Sequence, residues 1–80
     1  MAHYRVAQAG SGTVTLVDGI GRRHVARALH GAPAEGAVLH GPRPAAGFAI
    51  LSDDVTRSLC RVIFEHVDCG HDAPFAGPVR

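Results

Sequence analysis

Ser52-Asp53-Asp54-Val55-Thr56-Arg57-Ser58-Leu59-Cys60-Arg61-Val62-Ile63-Phe64-Glu65-His66-Val67-Asp68-Cys69-Gly70 carries two apolar periods, and the choice between them decides the architecture. Read at 3.6 residues per turn, Val55, Leu59, Val62, Ile63, His66 and Val67 form a stripe, with Ser52, Asp53 or Asp54 as the N-cap and Gly70 as the C-terminal cap. That reading leaves Phe64 on the polar face. Read at period two, Cys60, Val62, Phe64 and His66 alternate with Arg61, Ile63 and Glu65, and Ser52 to Ser58 becomes a loop. The density of β-branched residues favours the second reading. We therefore read the segment as a strand, with a helix over 53–68 as the alternative.

The rest of the chain fits the strand reading. Short apolar runs are cut repeatedly by glycine and proline, and no internal repeat or long linker divides them. Tyr4 and Val6 face one way along a first strand, and Gly10-Ser11-Gly12 turns the chain. Thr13 to Val17 is a second strand, with Val14 and Leu16 inward and the threonines outward. Asp18-Gly19-Ile20-Gly21 then reads as a hairpin turn, because Asp and Gly tolerate positive φ, and Arg22 to Leu29 is the return strand. Gly31 to Gly36 is a loop around Pro33, Ala37 to His40 a short fourth strand, and Gly41-Pro42-Arg43-Pro44 a rigid connector. A fifth strand, Phe48-Ala49-Ile50-Leu51, places Phe48 and Ile50 on one face.

A chain of 80 residues supports one small core. Area scaling gives about 4,600 Å² exposed when folded against about 12,000 Å² unfolded, which makes a deep cleft for a large substrate improbable. The expected organisation is one β domain over 1–72 and a flexible tail over 73–80. No run reaches the roughly 20 apolar residues of a membrane span, and the start Met-Ala-His-Tyr-Arg-Val has no apolar secretory core, so a cytoplasmic protein without membrane contact is expected. Cys60 and Cys69 then read as free thiols.

Composition constrains the partners. All eight basic residues are arginine, which fits a GC-rich coding bias better than dedicated anion capture. A net charge of +1 lacks the basic excess of most nucleic-acid modules. Locally, Arg22, Arg23 and Arg27 cluster on the third strand, with Arg23 and Arg27 on one face and Arg22 on the other. A nucleic-acid-binding barrel using these arginines is therefore an alternative. It lacks stacking platforms, since the aromatics are only Tyr4, Phe48, Phe64 and Phe75 and most of them are required for the core.

Six histidines is a high count, and His66, Cys69 and His71 are spaced HxxCxH. Imidazole and thiolate donors suit zinc, with Cys60 or another histidine as a fourth ligand. There is no CxxC pair, CxxCH or HExxH, so no cofactor is expected and zinc is the alternative. A cysteine nucleophile with a histidine base would need an orienting group and an oxyanion hole that no motif specifies, and Asp53-Asp54 reads as a turn rather than a carboxylate pair. The glycine pairs fit turns and match no phosphate loop.

The expected fold is all-β, a five- to six-stranded antiparallel barrel of SH3-like or OB-like size or a curled sheet, with α+β as the alternative. The expected role is a non-enzymatic accessory module that binds another protein through a sheet edge or loop. Unclosed edges such as Thr13 to Val17 or Cys60 to Val67 would also pair in a homodimer.

Overall fold

The structure is a computed structural model that describes residues 1–31 and 33–70. Six strands follow one another: β1 (Ala2–Ala9), β2 (Thr13–Asp18), β3 (Arg23–His30), β4 (Val38–Gly41), β5 (Gly47–Asp53) and β6 (Leu59–His66). They close into an antiparallel barrel in the order β1-β2-β3-β6-β5-β4, with β4 returning to β1. The all-β reading holds. The proposed helix over 53–68 does not form: residues 59–66 are a strand paired to β3 on one side and β5 on the other. Period two wins there because it turns Cys60, Val62 and Phe64 into the barrel together.

Alternation fills the interior. Tyr4, Val6, Val14, Leu16, Ala26, Leu39, Ala49, Leu51, Cys60, Val62 and Phe64 form one buried cluster. On β5 the paired face falls the other way from the one its largest residues suggest. Phe48 and Ile50 do share a face, but it is the outer one, 60% and 42% exposed, so Phe48 is not a core aromatic. Register explains this: Ala49 lies opposite Val62 and Leu51 opposite Cys60, so these two join β6's inward set beside Tyr4 and Phe64. Phe75 and the tail over 73–80 lie outside the described residues.

The β2–β3 hairpin forms where Asp18-Gly19 stands, with a different residue in the left-handed conformation. Gly21 takes φ 90°, while Asp18 accepts the amides of Ile20 and Arg22 through Oδ1 at 3.0 Å each. In the barrel order β3 and β4 are not neighbours, so consecutive strands part there. Closure leaves Thr13–Asp18 and Leu59–His66 with hydrogen-bonded neighbours on both sides, so neither presents a free edge. Among the described residues no helix is long and apolar enough to cross a membrane.

Candidate functional site

Of the three arginines on or beside β3, two are consumed by ion pairs. Arg22 folds back on the barrel end, with Nε 3.4 Å from Asp18 Oδ2 and Nη1 3.8 Å from Asp68 Oδ2. Its Nε is buried and makes no hydrogen bond, so the contact with Asp18 is purely electrostatic. Arg27 reaches across to β6 and holds Glu65 through Nε at 3.0 Å and Nη2 at 2.8 Å. Arg23 is exposed, and its backbone exchanges bonds with the amide of Cys69 and the carbonyl of Gly70. The three therefore do not converge on one open cationic face.

The HxxCxH segment is only partly within the described residues, since His71 lies outside them. His66 is exposed at the end of β6, opposite Val25. The Cys69 thiol lies 3.5 Å from the Arg23 carbonyl, to which it donates. Cys60 points into the core, where burial raises its thiol pKa, and it is not placed to complete a surface metal site. Asp53 forms a turn, as expected: its Oδ1 accepts the amides of Val55 at 2.8 Å and Thr56 at 3.0 Å, and these bonds lower its pKa.

One acid and one imidazole meet inside the barrel end. His24 Nε2 lies 3.0 Å from Asp18 Oδ2, and the Asp68 amide donates to His24 Nδ1 at 2.9 Å. An amide can only donate, so Nδ1 is the acceptor and Nε2 carries the proton that goes to Asp18. Both ring nitrogens are occupied and the ring is wholly buried, edge-on to Tyr4 and Phe64. No ring atom is left to take a proton from a substrate, so the dyad is a structural tie. Beside it the surface dips into a groove of about 670 Å³, walled by Ile20, Arg22, Arg43 and Pro44.

The largest chemical anomaly lies on the outer face of β5 and β6. Phe48 is opposite the half-buried Ile63, Ile50 is opposite Arg61, and Ser52 is opposite Leu59. Leu59 is 55% exposed, and Leu29, the extra residue of the irregular β3 pairing beside Arg61, is 49% exposed. Register sets Arg61 between Ile50 on β5 and His30 on β3, with Leu59 and Ile63 two residues away along β6, and Arg61 makes no ion pair among the described residues. None of these apolar side chains belongs to the buried cluster, which is filled from the other face of the sheet. Sequence reading missed the face: Phe48-Ala49-Ile50-Leu51 is apolar on both sides, so alternation alone does not say which pair turns inward.

Against family models, curated proteins and solved structures the chain finds no match, so the residues above are the whole basis of a functional reading.

Proposed function

We propose that this chain is a non-enzymatic protein-binding module whose outer β5–β6 face receives an apolar segment bearing carboxylates. The observation that carries this is the exposed set Phe48, Ile50, Leu59 and Leu29 on and beside the strand face that holds Arg61, which makes no ion pair among the described residues. Covering an aromatic or a branched aliphatic side chain contributes roughly 1.5–3 kcal/mol each when burial is complete. Arginine and large apolar anchors at the centre of a patch are where binding energy concentrates. Arg27 at the edge is already neutralised by Glu65, so the net charge offered at the centre is that of Arg61.

The same arrangement argues against a second copy as the occupant. A two-fold axis passing through Arg61 would bring it towards its own symmetry mate, a like-charge approach that costs binding energy. A partner segment that alternates apolar and acidic residues meets both demands at once. Closure of the barrel directs association to a face or a loop, since β2 and β6 are paired on both sides.

The test is an amide NMR titration of the labelled chain with a synthetic peptide in which Leu or Phe alternates with Glu. Saturable shifts confined to residues 29, 48, 50, 59, 61 and 63, abolished by Phe48→Ser, are expected. An unmoved spectrum, or shifts that persist in Phe48→Ser, would overturn the reading. Phe48 is exposed, so that variant keeps the fold.

A further inference from the structure

His3, His40 and Asp54 stand far apart in the chain and meet where the barrel closes. His3 on β1 and His40 on β4 are directly opposed in register, with ring centroids 5.8 Å apart. Both point outward, because their neighbours Tyr4 and Leu39 point into the core. Asp54, one residue beyond β5, is hydrogen-bonded through Oδ1 to His40 Nδ1. One donor atom from each of the three lies within 4.8 Å of the other two. The geometry points to a binding site for a single divalent transition cation of the Zn²⁺ class, formed by His3, His40 and Asp54 across the β1–β4–β5 seam.

The backbone under each ligand is fixed. His3 and His40 belong to the ladder that closes the barrel. Asp54 is anchored by its own amide, which donates to the Val38 carbonyl at 2.9 Å, and by the turn that Asp53 builds with Val55 and Thr56. Metal–ligand bonds of about 2.0–2.2 Å bring tetrahedral donors to roughly 3.3 Å from one another. The exposed His3 ring has freedom to rotate and close that gap, while His40 and Asp54 are already in contact. Two imidazoles and one carboxylate suit a borderline cation and suit Mg²⁺ or Ca²⁺ poorly, since those ions take oxygen ligands. Water fills the remaining coordination positions.

Such an ion has a mechanical consequence. β4 is the shortest strand and pairs with β5 through only Leu39–Asp53 and His40–Ser52. A metal held by one ligand from β1, one from β4 and one from the end of β5 ties this weakest stretch to both neighbours, so loading stabilises closure. None of the three ligands lies on the outer β5–β6 face or in the HxxCxH segment.

The test is calorimetric titration of tag-free protein with Zn²⁺, visible absorption with Co²⁺, and thermal melts with and without Zn²⁺. One Zn²⁺ per chain is expected, with a Tm at least about 5 °C higher at a hundredfold excess over Kd. His3→Gln and Asp54→Asn should each weaken binding at least about tenfold, on the scale of losing a ligand or its support. His66→Gln and Cys69→Ser should leave it unchanged. Absence of stoichiometric binding, or binding that survives His3→Gln and Asp54→Asn, would overturn the assignment. His3 is exposed, and an unchanged amide spectrum of His3→Gln separates loss of a ligand from loss of fold.

Discussion

The His24 imidazole donates to the Asp18 carboxylate across 3.0 Å inside the barrel end, and the Asp68 amide fixes the proton on the nitrogen that faces Asp18. The pair joins the β2–β3 turn to the chain leaving β6, because Asp18 also receives the Ile20 and Arg22 amides. Three segments thus depend on one carboxylate.

Asp18→Asn is expected to destabilise the fold by about 3 kcal/mol, because the new amide sets a donor against the His24 N–H or leaves it unpaired in a dry site. Burial pushes the Asp18 pKa up, but the bonds from His24, Arg22 and Ile20 outweigh it and the net shift is downward. The stability that follows is fully present above the unfolded carboxylate value of about 3.9 and is lost as pH falls through the lower folded value. Asp53 is shifted in the same direction. Urea unfolding from neutral pH into acid should show a shallower acid loss in Asp18→Asn than in the parent, and identical slopes would contradict this account.

Tyr4 donates to the Pro42 carbonyl at 2.7 Å from a fully buried position. Burial, helped by the nearby Asp18 charge, pushes the phenol up to about 12. A raised phenol contributes stability that is present below the unfolded value of about 10 and lost as pH rises through the folded one. Tyrosinate absorbance of this only tyrosine should therefore rise together with alkaline unfolding. Titration near pH 10 in a still-folded chain would contradict it. Tyr4→Phe should cost about 1 kcal/mol at neutral pH through the orphaned Pro42 carbonyl.

Gly41 ends β4 against β5 with no room for a side chain. A Cβ there would stand 2.6 Å from Leu51 Cδ2 and 2.9 Å from the Ile50 carbonyl oxygen. Gly41→Ala should destabilise by about 1–3 kcal/mol, as overpacking does. Gly10→Ala, where nothing lies within 4 Å, should stay within about 0.5 kcal/mol. Equal denaturant midpoints for the two variants would contradict the packing described.

The two thiols should separate cleanly under alkylation. Cys69 is exposed and Cys60 is buried with its pKa raised. Brief alkylation of the folded chain should modify Cys69 alone, with Cys60 following only on unfolding. Faster reaction at Cys60 would mean that the core opens more readily than its packing implies.

Much of the barrel was legible in the chain because alternation is a local signal. Val14 and Leu16, Tyr4 and Val6, and Cys60, Val62 and Phe64 each announce an inward face within a few residues. The orientation of β5 was not legible, since both of its faces are apolar and only pairing with β6 chooses between them. Closure decided the rest. His3, His40 and Asp54 carry no mutual spacing signal, and they converge only because β1 returns to β4. The HxxCxH spacing, by contrast, is visible in sequence, yet β6 ends at His66 and leaves Cys69 against the Arg23 carbonyl.

A charge-swap selection tests the proposed binding face most directly. Peptides displayed at random would be selected on the parent chain and, in parallel, on Arg61→Glu, with amide spectra confirming that both are folded. The account predicts that the parent enriches segments combining apolar residues with Asp or Glu, and that Arg61→Glu reverses the preference to Arg or Lys while the apolar positions stay. Enrichment of the same sequences on both chains, or none on either, would contradict it.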